Sequence, residues 1–198
     1  MGPLVYRPTF VRVLSVVTWA LLVLGVVLTA LDDVGTGLRW LPLLAFAAAA
    51  VYVLFWRPSV EVDDQAVTVR NLVRDVRVPW PRLESLDTRY SLTLFTDARK
   101  VAAWAAPAPG RSQALRQSKT DALALQSLGT NLQHGLRSSA TPNSDSGGAA
   151  LMVTARWERA RGLPQPDAVP PVTARVAVVP LVALVVTGLA ALLTAVLT

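Results

Sequence analysis

Few residues in this chain have the type and spacing that an active site requires. The chain has no cysteine, which excludes disulfides, thiolate metal sites and cysteine nucleophiles, and a single histidine, His134, excludes a multi-histidine metal centre. Glu61 and Asp63 alternate along one predicted strand, but no apolar pocket is indicated that would shift either pKa toward acid–base catalysis. Asp32 and Asp33 are adjacent, so they point apart and offer too few ligands for a divalent ion. We therefore expect no enzyme activity, no metal and no cofactor.

Cations are the remaining candidates for a site. Residues 57–175 carry a net charge of +5, nearly all of the chain's +6. This positive charge has two explanations. The cations are solvated and follow the positive-inside rule, or they contact an anionic lipid headgroup or a partner. The candidate contact residues are Arg70, Arg74, Arg77, Arg82, Arg99 and Lys100. Acidic residues are interleaved with them, which disfavours nucleic-acid binding.

The composition of the chain indicates which kinds of structural element position these candidate cations. The chain of 198 residues is 53% hydrophobic and only 16% charged, with a mean hydropathy of +0.44, whereas soluble domains carry about 25% charged residues. Three stretches without any Asp, Glu, Lys, Arg or His, at 13–31, 41–55 and 176–197, are long enough to span a bilayer. Their lack of charge favours anchoring over transport. We expect three transmembrane helices.

The arginines at the ends of these stretches predict the topology. Arg7 and Arg12 precede the first span, Arg57 follows the second and Arg175 precedes the third. By the positive-inside rule, the N-terminus and residues 57–175 are cytoplasmic, while the loop 32–39 and the C-terminus lie outside. The expected location is the inner (plasma) membrane.

Residues 59–105 have the pattern of about six short strands. Val60 and Val62 alternate with acidic residues, and Val67 and Val69 alternate with polar ones, with a turn between the two pairs. Further alternation predicts strands at 75–78, 84–88, 91–96 and 99–104. Because no helix separates them, the strands form an antiparallel meander, closed as a small barrel or sandwich.

This region contains a set of short motifs, which are Arg57-Pro58, Val67-Thr68-Val69-Arg70-Asn71, Val78-Pro79-Trp80, Thr96-Asp97 with Arg99, and Trp104. These motifs resemble those of bacterial pleckstrin-homology (PH)-like domains, in particular an actinobacterial group behind two membrane spans that includes mycobacterial low-molecular-weight antigen proteins. The resemblance covers about residues 10–105 and the helix near Trp157. This chain departs from the pattern at Asp97-Ala98, where Asp-Gly is usual, and in a long insertion before the closing helix.

The resemblance implies a PH-type barrel of two bent sheets with a C-terminal capping helix, and it implies no enzyme. Its structural residues are Pro79, Trp80, Asp97, Trp104 and Trp157, and we expect the tryptophans to pack in the core or at the barrel end. The basic first hairpin that binds inositol phosphates in eukaryotic PH domains has an acidic turn here, Asp63-Asp64-Gln65. That part of the family pattern does not carry over.

Two segments are candidates for the capping helix, 112–137 and 149–161. The composition of residues 138–148 predicts a flexible loop, and the prolines of 163–171 predict an extended tether. The expected organisation is an N-terminal segment 1–12, a transmembrane hairpin 13–56, a PH-like domain 57–106, an insertion with the capping helix 107–162, a tether 163–175 and a third span 176–198.

Together, these expectations describe a non-enzymatic membrane protein that displays a cytoplasmic PH-like domain for protein interaction or scaffolding. Its partner is expected to be another membrane protein or a second copy of the chain. One alternative is anionic-lipid binding or membrane sensing through the basic face. A second alternative is an accessory subunit of a transport or secretion complex.

Overall fold

The computed structural model describes residues 2–107, 145–162, 164 and 168–197. Its helices are α1 (Thr9–Asp32), α2 (Val34–Val51), α3 (Asp145–Arg161) and α4 (Val178–Leu197). Its strands are β1 (Leu4–Tyr6), β2 (Ser59–Val62), β3 (Ala66–Arg70), β4 (Arg74–Pro79), β5 (Leu83–Asp87), β6 (Ser91–Thr96), β7 (Lys100–Pro107) and β8 (Thr173–Val176). The chain divides into two compact units: a β unit of Met1–Pro8 with Ser59–Arg175, and a membrane unit of Thr9–Pro58 with Val176–Thr198.

The membrane unit contains three helices that are long and apolar enough to cross a bilayer, with mean hydropathies of 2.5, 1.9 and 2.4 over α1, α2 and α4. A π-helical turn, Tyr52–Trp56, extends α2. The expectation of three apolar helices of membrane-span length is therefore confirmed.

The start of α2 differs from the sequence expectation. Asp33 has extended backbone (φ −147°) and its carboxylate accepts hydrogen bonds from the backbone N–H groups of Gly35 and Thr36, so it caps the helix. The predicted outer loop 32–39 is therefore wrong, since nearly all of it is helical. As a consequence, α2 contains one charged residue, Arg39, where the sequence predicted a span without ionisable residues.

Close contacts hold the membrane helices together. A Cβ at Gly37 of α2 would lie 3.1 Å from the Cα of Ala30 in α1, and a Cβ at Gly188 of α4 would lie 3.2 Å from the Phe46 ring of α2. The Trp19 indole donates a hydrogen bond of 3.2 Å to the Ala48 carbonyl. Small residues at helix crossings permit this close approach, as is common in membranes.

The β unit consists of two antiparallel sheets and a helix. The order of the larger sheet is β1-β2-β3-β4-β8 and that of the smaller is β5-β6-β7. The Pro79-Trp80-Pro81 stretch ends β4, and residues Trp80–Arg82 form a 3₁₀ turn that leads into the second sheet. The predicted meander and helix-capped PH-like architecture are confirmed.

Period-2 alternation builds the core of this unit. Val60 and Val62 of β2, and Leu92 and Leu94 of β6, are fully buried, while Glu61 and Thr93 between them are more exposed. The helix α3 adds Ala149, Ala150 and Val153 to the same core, and Trp157 packs half-buried against it. Of the two capping-helix candidates, residues 149–161 lie in α3; residues 112–137 lie outside the described residues, as do 138–144 of the predicted loop.

Two strands come from segments that showed no strand pattern in the sequence. Strand β1 pairs with β2, with Leu4 opposite Val62 and Tyr6 opposite Val60. Strand β8 lies beside β4 at the other edge of the sheet. The first residues of the chain and the end of the predicted tether are thus part of the sheet.

Candidate functional site

The outer face of the larger sheet holds two of the predicted cations, each paired with an acid. The guanidinium of Arg70 lies 3.0 Å from the Glu61 carboxylate, and that of Arg77 lies 2.7 Å from the Asp63 carboxylate. Glu61, Thr68 and Arg77 lie opposite one another on β2, β3 and β4. Arg70 is two residues from Thr68, and Asp63 is two residues from Glu61. Both ion pairs therefore join residues placed diagonally on the same face of the sheet.

Three other predicted cations lie near the β6–β7 turn. Arg82 donates to the carboxylate of Asp97 in that turn, which gives Asp97 a structural role. Lys100 lies over the Phe95 ring, 5.1 Å from its centroid, and Arg99 is exposed. The six candidate cations therefore do not form one cluster.

The acidic β2–β3 turn is explained by the contacts that it makes. Asp63 accepts hydrogen bonds from the N–H groups of Gln65 and Ala66, at 2.8 and 2.7 Å, and closes the turn. Its carbonyl accepts a 3.2 Å bond from the indole of Trp80. Asp64 pairs with Arg156, a buried residue of α3. The turn therefore joins β2, the 3₁₀ turn and α3.

The sixth cation, Arg74, lines a groove of about 520 Å³. Exposed apolar and aromatic side chains surround it, with Val73 on the β3–β4 turn, Tyr90 before β6 and Trp104 on β7. We call this the aromatic groove, defined by Leu72, Val73, Arg74, Tyr90 and Trp104. Trp104 is 58% exposed and Tyr90 is 82% exposed.

Asn71 positions the wall of the aromatic groove. Its side-chain amide donates to the Ala102 carbonyl at 2.8 Å, and its side-chain oxygen accepts from the Trp104 N–H at 2.9 Å. Its backbone N–H also bonds to the Arg74 carbonyl at 2.9 Å across the turn. One side chain thus holds the β3–β4 turn against β7 and satisfies two backbone groups of that strand.

The predicted environment of the tryptophans is correct for Trp80 and wrong for Trp104. Trp80 is 3% exposed and lies in the core beside Pro79, whereas the Trp104 side chain lies in the groove. On β7 the buried positions are Val101, Ala103, Ala105 and Ala106. Trp104 lies between Ala103 and Ala105, so it has the opposite phase and points outward.

A second groove, of about 500 Å³, lies beside Trp80 and the prolines that follow α3. Its cation, Arg77, is the one that pairs with Asp63.

No group of three or more His, Cys, Asp or Glu residues in the described ranges could hold a metal ion. His134 lies outside those ranges. The aromatic groove is therefore the best candidate site.

The fold defines a class: three apolar helices of membrane-span length joined to a small antiparallel β domain with a packed C-terminal helix. Residues 57–130 match the family model described as Bacterial PH domain. The match begins just before β2, includes the aromatic groove and covers less than half of the chain. No curated protein and no solved structure matched significantly.

Proposed function

We propose that this chain is a non-enzymatic membrane protein that displays its PH-like domain to bind a partner protein in the aromatic groove. The observation that carries this proposal is the exposure of Trp104 and Tyr90 in one concave surface. Contiguous exposed apolar surface in a folded domain is typical of interaction sites. Trp, Tyr and Arg are also the residues most enriched among those that dominate binding energy at protein interfaces.

The chemistry of the groove defines the partner segment. An apolar side chain would pack between Trp104 and Tyr90, and a neighbouring carboxylate would pair with Arg74. The partner is another protein of the same membrane or a second copy of this chain, because the three spans restrict the domain to the membrane surface. The cytoplasmic side is proposed from Arg7, Arg12, Arg57 and Arg175 at the ends of the spans.

Lipid binding through the basic face has less support, because Arg70, Arg77 and Arg82 each pair with a carboxylate. What favours this alternative is Arg74 beside two exposed aromatic residues, a combination that is also found at membrane interfaces. A role as an accessory subunit of a transport or secretion complex stays a second alternative.

In-cell photo-crosslinking tests the proposal. A photoreactive phenylalanine analogue at Tyr90 should give a discrete protein adduct, and the same analogue at Ala98, exposed on the β6–β7 turn, serves as the matched control. Adding Arg74→Glu should reduce the Tyr90 adduct several-fold, because it replaces charge attraction with repulsion. Differently tagged copies of the chain then distinguish self-association from a second protein.

Adducts to lipid alone at Tyr90 would support the lipid alternative and contradict protein binding. Equal protein adducts at Tyr90 and Ala98 would show that the groove has no specific role.

A further inference from the structure

A groove of about 390 Å³ lies between α2 and α4 within the membrane unit. It is near the end of the unit where α1 meets α2. Arg39, Trp40 and Leu43 of α2 form one wall, and Ala191 and Ala195 of α4 form the other. The two alanines are one turn apart on α4, so their small side chains leave room between the helices.

Arg39 is the cation that lines this groove. It is the one charged residue between Val34 and Trp56, a segment apolar enough to span a bilayer. An arginine near the end of a span extends its guanidinium to the headgroup level, while its alkyl stem covers apolar surface. The ion pairs among the described residues do not include Arg39, although its charge adds to the Thr36 hydrogen bonds that lower the pKa of the nearby Asp33 carboxyl.

The acidic cap at this end already has other hydrogen-bond donors. The carboxylate of Asp33 accepts bonds from Gly35 N at 3.2 Å, Thr36 N at 2.8 Å and Thr36 Oγ1 at 2.6 Å. Arg39 lies six residues further along α2, about 9 Å at 1.5 Å per residue. This places the guanidinium near the headgroup level of a bilayer that α2 spans.

We propose that this groove binds one membrane phospholipid, with the headgroup phosphate on Arg39 and an acyl chain along Leu43 and the two alanines. A guanidinium can make two parallel hydrogen bonds to a phosphate, and it is the side chain best suited to that pairing. Trp40 has an indole N–H and an apolar ring, which suits the same depth. Charge complementarity and the depth of the site both favour a phospholipid over an uncharged apolar molecule.

Native mass spectrometry of the full chain in detergent tests this site with two probes. Dioleoyl-phosphatidylglycerol carries a phosphate, and monoolein has an oleoyl chain but no phosphate. One phospholipid should be retained, and monoolein should be lost. Arg39→Gln should weaken phospholipid binding about ten- to a hundred-fold, the range expected when a charged hydrogen-bonding partner is removed. Arg39→Lys should give a smaller loss, because it keeps the charge without the paired geometry.

Two further variants keep the test independent of folding defects. Ala195→Leu fills the groove and leaves Arg39 in place, so it should also lose the lipid. Arg12→Gln removes a cation that lies over Trp56 at the other end of the unit, 5.5 Å from the ring centroid, and should bind as the unchanged chain does. Equal retention by Arg39→Gln, Ala195→Leu and Arg12→Gln, or equal retention of monoolein, would overturn the proposal.

Discussion

Trp80 and Trp104 have opposite environments in the β unit, since Trp80 is 3% exposed and Trp104 is 58% exposed. Trp80 lies between two prolines where one sheet ends and the other begins, and its ring fills the core while its N–H bonds to Asp63. On β7 the inward positions are held by Val101 and small alanines, so hydrophobicity alone assigns the wrong phase to Trp104. Alanine occurs on both faces of β7, since Ala102 is exposed and Ala103 is buried, so only Val101 indicates the inward face in the sequence.

Truncating these two tryptophans should have very different effects on stability. Trp80→Ala should lower the free energy of opening of the β unit by about 3–5 kcal/mol, because it leaves a core cavity. Trp104→Ala should change it by about 0.5 kcal/mol or less, as is usual for surface positions. Amide hydrogen exchange on the full chain, read at β2 to β4, measures both. Similar losses for the two variants would contradict the assigned environments.

Asp33 should make the start of α2 sensitive to acid. Hydrogen bonds from the Thr36 side chain and from the backbone N–H groups of Thr36 and Gly35 hold the pKa of Asp33 below its ordinary value of 3.8. Its stabilising effect is therefore fully present above pH 3.8 and is lost as the pH falls through the lower folded pKa.

Hydrogen exchange of the first turn of α2 between pH 5 and pH 2.5, corrected for the intrinsic rate, measures this loss. Asp33→Asn, which can still cap a helix but does not titrate, is the matched control and should show a flatter pH profile. The same profile in both chains would mean that the cap does not titrate there.

At the scale of elements, the strands with clear alternation were predictable, and the missed elements lacked a local signal. Strand β1 has three residues and depends on β2 for its hydrogen bonds, so no pattern could reveal it. The start of α2 was missed because a search for uncharged residues stops at Arg39. The capping chemistry of Asp33, rather than hydropathy, determines where that helix begins.

The contact of Gly37 with Ala30 predicts a steric limit between α1 and α2. A leucine at Gly37 would place its Cβ 3.1 Å from the Ala30 backbone, so the helices would have to separate. Gly37→Leu should cost about 1–3 kcal/mol, in the range of overpacking. Gly25→Leu on α1 is the matched control, since a Cβ there meets nothing within 4 Å.

Unfolding in sodium dodecyl sulfate, followed by tryptophan fluorescence, measures the difference in stability between the two variants. The ring centroids of Trp19 and Trp56 lie 5.2 Å apart across the two helices, so their fluorescence reports on helix separation. Equal midpoints for Gly37→Leu and Gly25→Leu would show that the close approach is not needed.

At the scale of the whole molecule, the β unit is assembled from chain segments that the membrane helices separate. Strand β1 precedes α1, β2 follows α2, and β8 precedes α4, yet all three belong to one sheet. Segments of one sheet lie on one side of a membrane, so the sheet keeps the start of α1 and the end of α2 on the same side of any membrane that the two helices span. The positive-inside rule predicts the same arrangement from the arginines, but no pattern in the sequence indicated that the sheet itself links the three segments.

Cysteine labelling tests this topology directly, because the chain has no native cysteine. Val5→Cys on β1 and Ala98→Cys on the β6–β7 turn should react with a membrane-impermeant maleimide in inverted vesicles and stay unlabelled in intact cells. Asp32→Cys, exposed at the end of α1, should react only from the outer side. If all three cysteines were labelled from the side opposite to the one expected, the membrane crossings would be supported, but the proposed cytoplasmic orientation would be contradicted. Labelling of Val5→Cys and Ala98→Cys from opposite sides would contradict the β unit, since its two sheets share one hydrophobic core and cannot have a bilayer between them.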